Sequence, residues 1–233
     1  MAVRIDADTD NLAWGGVGLV LDTVSVCGWA RLTSLGSTTY DTVVTVAGSG
    51  AMYLINYNAT ITEFELWAGA ASFFSAAPAA GDWFFWALVT NDGADVARAI
   101  WSPATSETIY TASGATSANS NVASIYLGSN NSSEYWNGRV AHAKVWAARL
   151  TQAEFMREKW SARPCRMANL SSWSPLLVNA KDYSGNGRNW TENGTLTYED
   201  GPPVGWGATP YVIRNPAAGP GGRNPVSMGF DLR

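Results

Sequence analysis

The stretch Tyr135–Phe155, YWNGRVAHAKVWAARLTQAEF, constrains the fold of this chain more than any other. Asn137-Gly138 marks a turn, because both residues tolerate positive φ. Arg139–Trp146 then reads as a strand, with Ala141, Ala143 and Val145 on one face and Val140, His142, Lys144 and Trp146 on the other. Thr151 is placed to cap a short helix over Thr151–Ser161. Glu154, three positions on, completes a capping box, and Leu150 and Phe155 stand where a hydrophobic staple sits.

The rest of the chain repeats the strand signal. Val24–Leu32 alternates, with Val24, Val26, Gly28, Ala30 and Leu32 on one face and Cys27, Trp29 and Arg31 on the other. Thr42–Ala47 and Met52–Tyr57 flank Gly48-Ser49-Gly50 and read as a hairpin; Ile61–Trp67 follows. Trp83–Val89 is apolar on both faces, which predicts a central strand covered on both sides, by the other sheet or by a neighbouring subunit. Asn91-Asp92-Gly93 turns it into Val96–Ser102. Ala2–Ala13 reads as an edge strand and a polar loop, Ser113–Asn121 as a polar loop, and Ile125–Leu127 as a strand before the Gly128–Glu134 loop. Pro164 stops the helix from continuing.

Three of these segments carry a family resemblance. Asn137-Gly138 with its strand, Arg149-Leu150-Thr151 and Glu154 resembles the closing segment of laminin-G-like, concanavalin-A-like jelly-roll domains, although Ala141 and His142 replace the two acidic residues of that pattern. The Trp29 strand, the Gly81–Val89 strand and Asp182-Tyr183-Ser184-Gly185-Asn186-Gly187 are similar to other segments of the same family. The order in which they occur, running on to Glu199-Asp200-Gly201-Pro202-Pro203-Val204, resembles bacteriophage structural proteins that bear such a domain. The resemblance spans about Val24–Val204. It implies one all-β antiparallel sandwich, a jelly roll of the concanavalin A-like kind with one short helix, over residues 1–210. An extended Gly/Pro-rich C-terminal arm then occupies 211–233.

Composition narrows the function. The net charge of −4 and the lack of any basic run argue against a nucleic-acid partner. No window holds the ~20 apolar residues that cross a bilayer. The start MAVRIDADTD has no apolar core of a secretory signal, which predicts a protein that stays in the cell that makes it or leaves inside an assembled particle. Charged residues are 15% of the chain, below the roughly 25% usual for soluble domains, and twelve Trp are an excess. Most Trp are expected in the core, with some lining a sugar site or a subunit contact. Cys27 and Cys165 form no metal set, and spacing leaves a disulfide between them open. The N-x-[ST] sequons at Asn58, Asn131, Asn169, Asn189 and Asn193 are read as accidents of composition.

Candidate chemistry is sparse. Sugar binding needs aromatic faces beside amides or carboxylates, and the loop residues Asn130, Asn131, Glu134, Tyr135 and Trp136 supply both. Asp182 and Asn186 offer oxygen ligands to calcium, but the same residues are ordinary turn formers. The retaining glucanases of this fold carry E-x-D-x-x-E. Here Glu63 and Glu65 share a strand face, and Trp67 follows with no third acid, so a glycoside hydrolase is the weaker alternative to a non-enzymatic module. His142, the only histidine, has no nucleophile motif near it.

The expectation is therefore a virion protein made in the host cytoplasm, a capsid decoration, fibre or tail-associated component. It would carry a lectin-like jelly roll, contact other virion proteins and host or environmental glycans, and assemble with itself, a trimer by analogy with phage fibres. Met228 and Phe230 would anchor the C-terminal arm on a neighbour.

Overall fold

The computed structural model describes all residues except 8, 16–17, 35–39, 49–51, 59–62, 116–120, 131–133 and 205–233. The proposed arm with Met228 and Phe230, the loop residue Asn131 and most of the Gly48-Ser49-Gly50 turn lie outside the described residues.

In chain order the strands are β1 (Ala2–Ile5), β2 (Asn11–Gly15), β3 (Val24–Leu32), β4 (Tyr40–Gly48), β5 (Met52–Asn58), β6 (Glu63–Ala68), β7 (Ala71–Phe73) and β8 (Trp83–Val89). They continue with β9 (Val96–Pro103), β10 (Tyr110–Ala115), β11 (Val122–Leu127), β12 (Gly138–Ala147), the helix α1 (Gln152–Lys159), β13 (Leu170–Ser174), β14 (Thr191–Asn193) and β15 (Thr197–Glu199). Two antiparallel sheets form. One runs β10-β9-β8-β3-β12-β1-β15, with β13 also on β12; the other runs β14-β2-β11-β4-β5-β6-β7. The jelly-roll sandwich expected from the alternation and the resemblance is the observed architecture.

Alternation decides the layers. Val26, Phe84, Trp86 and Leu88 point from the first sheet onto Ile55, Phe64, Leu66 and Ile125 of the second, forming the main core. The opposite faces of β3 and β8 build a second core, where Cys27, Trp29, Phe85, Ala87 and Val89 pack under Leu150, Phe155 and Leu170. The two-sided apolar pattern of β8 is thus satisfied within the chain, by α1 and its flanks rather than by a subunit contact. Each fully buried side chain of this size contributes about 1.5–3 kcal/mol, so the helix is held by burial more than by its own propensity. Its start follows the expected chemistry. The Thr151 hydroxyl accepts from the Glu154 N–H, and the Glu154 carboxylate accepts from the Thr151 N–H at 2.8 Å.

Three expectations change. β1 is not an edge strand, because β12 and β15 pair it on both sides. Ser113–Ala115 belongs to β10 rather than to a loop. The strand at β12 does not keep its phase: the register with β3 slips between Ala141 and Lys144, and His142 sits at φ 52°. Here a bulge puts two residues opposite Gly28, with His142 in the left-handed region that such bulges ask for. In consequence Val140 shares the inner core with Ala143 and Val145, while Ala141 and Trp146 share the outer one. Gly28 is required at this point, since a Cβ there would stand 2.8 Å from Cζ2 of Trp86. His142 is buried, and burial, then Lys144 and the N-terminal amine, push its pKa down to about 3. Cys27 is buried and Cys165 exposed, both as free thiols.

Two charged side chains fasten α1 to the sheet from below. Lys144 Nζ meets Glu158 Oε2 at 2.7 Å and also donates to the Glu158, Ser161 and Arg163 carbonyls. The other Glu158 oxygen accepts from the Cys165 and Arg166 N–H groups. Lys159, on the next residue, donates to Ser102 Oγ and to the Pro103 and Ser106 carbonyls.

Candidate functional site: a carboxylate groove on the open sheet

Among the described residues no helix lies over the outer face of the seven-stranded sheet. On β6 the residues Phe64 and Leu66 point inward, so Glu63, Glu65 and Trp67 point outward. On β5 the same rule turns Met52, Leu54 and Asn56 outward. The loop after β11 folds over this face. Gly128 starts it at φ 80°, a conformation that suits glycine, and a Cβ there would collide with Ile5. The Gly128 N–H donates to Val43 O, and the Thr45 hydroxyl donates to Ser129 O at 2.8 Å. The Asn130 N–H donates to Glu134 O, while Asn130 Oδ1 accepts from the Glu134 N–H. The loop is thereby closed on itself, and Glu134 is delivered above β4 and β5.

These parts enclose a groove of about 260 Å3. Its carboxylates are Glu65 and Glu134, its amides Asn56 and Asn130, and its apolar and aromatic walls Met52, Leu54, Tyr40 and Trp67. Glu65 is only 2% exposed, and Asn56 Nδ2 donates to its Oε1 at 3.0 Å. Glu134 Oε2 accepts from the Thr42 hydroxyl at 3.1 Å. Burial raises the Glu65 carboxyl above the ordinary range; hydrogen bonds from Asn56 and Asn58 work against the rise, and the charges of Glu134 and Glu63 add to it. Burial likewise raises Glu134, against the bonds from Thr42 and Asn130. Trp67, 38% exposed, presents a ring to solvent at the rim.

The loop residues singled out in the sequence do not share one place in the structure. Asn130 and Glu134 line the groove. Trp136 does not: it is 1% exposed, lies edge-on to Phe84 at 6.1 Å and belongs to the main core. The reason is its backbone, whose N–H donates to Gly128 O and so turns the residue under the loop instead of over it. Tyr135 is half-buried and bridged to Ser129, away from the groove walls. Of the alternative acid pair, Glu65 reaches the groove and Glu63, exposed, stands outside its walls. The acid that joins Glu65 is Glu134, which no spacing on one strand could have paired with it. Asn56 and Thr42 were missed altogether.

Asp182 and Asn186 shape a different loop. The Asp182 carboxylate accepts from the Trp173, Ser184 and Arg188 N–H groups and from the Ser184 hydroxyl. Burial raises this carboxyl, but those donors outweigh it and hold it below its ordinary value. Asn186 Nδ2 donates to the Leu170 and Ser171 carbonyls. Among the described residues no group of three or more His, Cys, Asp and Glu side chains is arranged to hold a metal ion.

No protein-family profile and no curated protein sequence matches the chain. Solved structures do. A "putative carbohydrate binding protein" from Bacteroides ovatus superposes with a TM-score of 0.62 at 14% identity, over 88% of this chain and 61% of that one. Tailspike protein 2 of a bacteriophage of Escherichia coli O157:H7 superposes with a TM-score of 0.55 at 12% identity, over 74% of this chain and 26% of the tailspike. The enzymatically active domain of that tailspike gives the same TM-score at 13% identity, over 74% of this chain and 29% of the domain. This chain thus spans about three-fifths of the first protein and about a quarter of the second. At these identities the likeness shows the fold alone, a jelly-roll β-sandwich.

Proposed function

We propose that this chain is a non-enzymatic glycan-binding module of a virion, and that the Glu65–Glu134 groove holds the sugar. One observation carries the binding reading: an exposed Trp ring beside the buried Glu65 and Asn56 and the half-buried Glu134 and Asn130, on a sheet face that no described helix covers. A sugar ring has an apolar C–H face that stacks on an indole and hydroxyls that bond to carboxylates and amides. The volume is just under the roughly 300–1,000 Å3 of sites for drug-sized ligands, which suits one or two rings of a longer glycan lying along the open sheet. Binding to a panel of immobilised glycans should be lost in Trp67→Ala while the thermal transition stays in place. Retention of all binding by Trp67→Ala would overturn the assignment of the groove.

The second reading is a glycoside hydrolase. It is favoured by two acids in one groove, both raised by burial. Against it, acid and base roles need two carboxyls pushed apart in pKa, and here both move the same way. Incubation with a polysaccharide panel decides: product formed by the parent chain and abolished in Glu65→Gln would establish hydrolysis.

The virion reading is supported by the tailspike-like fold and by apolar side chains such as Trp160 and Met167 left exposed. The partners are other virion proteins and further copies of the chain, a trimer by analogy with fibres, through an arm over 211–233 carrying Met228 and Phe230. Deleting 217–233 should weaken self-association in sedimentation while leaving the sandwich folded; unchanged association would remove the arm from the proposal. Calcium remains part of the same reading as a ligand of Asp182 and Asn186. It predicts a rise of Tm with added calcium that Asp182→Asn abolishes.

A further inference from the structure

We infer that the groove selects a positively charged sugar, an amino sugar with a free ammonium group. This rests on the glycan-binding reading and names its substrate class. The argument begins with what surrounds the two carboxylates. Among the described residues that line the groove none is Lys, Arg or His. The side-chain hydrogen bonds to Glu65 come from Asn56 and Asn58 and those to Glu134 from Thr42 and Asn130, all neutral groups. Glu63 stands on the same strand face as Glu65 and adds to the negative field. A desolvated carboxylate is costly unless a cation compensates it. Elsewhere this chain supplies that cation: buried Glu158 has Lys144 at 2.7 Å. Among its described residues the groove keeps its two carboxylates without one.

A second, independent feature points the same way. Asn56 is 3% exposed, and among the described residues its Oδ1 has no hydrogen-bond donor, although Nδ2 of the same amide is engaged by Glu65. A buried acceptor left without a donor costs about 1–3 kcal/mol, and this one belongs to a residue of the groove wall. An ammonium group carries three N–H donors and no acceptor. The groove offers three acceptors to match: the Glu65 carboxylate, the Glu134 carboxylate and Asn56 Oδ1. A neutral sugar supplies hydroxyl donors but no charge. A uronic or sialic acid brings a third carboxylate into a site with no cation. Trp67, at the rim, adds a ring face, which attracts cations as well as C–H groups.

The test is calorimetric titration of the full chain at pH 6 with four tetrasaccharides: β-1,4-linked glucosamine, its N-acetylated form, the neutral glucose analogue and galacturonate. Nα-acetyl-lysine amide serves as the non-sugar ammonium control. The glucosamine tetramer should bind at least tenfold more tightly than the N-acetylated and neutral ones, with no binding of galacturonate. Glu134→Gln should remove most of that preference with little change in Tm, and Glu134 is chosen because it is less buried than Glu65. Equal or tighter binding of the N-acetylated or neutral tetramer, or an unchanged preference in Glu134→Gln, overturns the inference and leaves the glycan reading standing. Lysine amide binding as tightly as the tetramer overturns it too, since the site would then read any amine. Failure of every sugar to bind overturns the glycan reading itself.

Discussion

The two outer faces of this sandwich treat buried charge in opposite ways. Over the eight-stranded sheet, α1 closes the face, and the charges it buries are compensated. Lys144 has Glu158 and three carbonyls, and Lys159 has a hydroxyl and two carbonyls. Over the seven-stranded sheet, Glu65 is as deeply buried as those lysines, yet its direct partner is a neutral amide. Under the helix the chain thus pairs Lys144 with a carboxylate and holds Lys159 with neutral acceptors, whereas on the other face Glu65, among the described residues, is held by neutral donors alone. The structural carboxylate Glu158 and the proposed ligand carboxylate Glu65 differ in their partners, since burial is common to both.

The sharpest way to break this comparison is Glu158→Gln. It strands Lys144 without its counter-charge, and removing one member of a buried pair costs about 3–5 kcal/mol. Urea unfolding should show that loss, whereas Glu134→Gln should change stability by less than about 1 kcal/mol. Similar losses in the two variants would erase the distinction between the faces. Trp136→Ala belongs with the large effects, about 3–5 kcal/mol for a truncated core aromatic. Binding lost without such destabilisation would return Trp136 to the list of sugar contacts.

Next in size is a pH effect at the bulge. His142 has a folded pKa of about 3 against the ordinary 6.5. The unfolded chain therefore binds the proton first, and stability is lost as pH falls from 6.5 towards 3. The slope is at most about 1.4 kcal/mol per pH unit for one proton. Asn tolerates the left-handed region, so His142→Asn should keep the bulge and flatten that slope in a series of unfolding curves. An unchanged slope would place the acid sensitivity elsewhere.

The smallest effect has the opposite sign. Glu65 and Glu134 have raised folded pKa values. The folded chain holds their protons longer, so stability is full below the ordinary carboxylate pKa and declines as pH rises through the folded values. The double variant Glu65→Gln, Glu134→Gln should be free of that decline and at least as stable as the parent at pH 7. A double variant that loses stability as pH rises just as the parent does would mean that the open face is compensated after all.

What could be read in advance follows the range of the interactions involved. The faces of β3 and β8 and the Thr151–Glu154 box depend on neighbours one to four positions away, and the sequence displays them directly. The β12 bulge depends on Gly28 and Trp86 across the sheet, and nothing around His142 marks it locally. Glu65 was legible as an outward acid and Glu134 as a loop acid. Their meeting needed the fold of the Gly128–Trp136 loop, fixed by contacts to Val43, Thr45 and Ile5. The same loop closure hid Trp136, whose composition looked like a sugar contact and whose backbone makes it core. The Lys144–Glu158 pair was invisible because a strand lysine and a helix glutamate each look like solvated surface until they are stacked.

The place of β1 in its sheet has a consequence for how the chain comes off the ribosome. Val3 and Ile5 pair with Val140 and Gly138, and Val3 then with Tyr198. β1 is therefore made well before its partners, Val140 following Val3 by 137 residues and Tyr198 by 195. At about 5–20 residues per second, Val3 and Ile5 stay without their sheet for roughly 10–30 s. During that interval the segment is a short apolar ribbon with both edges open, the kind that joins other nascent chains. Arg4, exposed between the two buried residues, is the one charge placed to discourage such pairing. Once Glu199 has been made, the same arginine turns to it and holds β15 against β1.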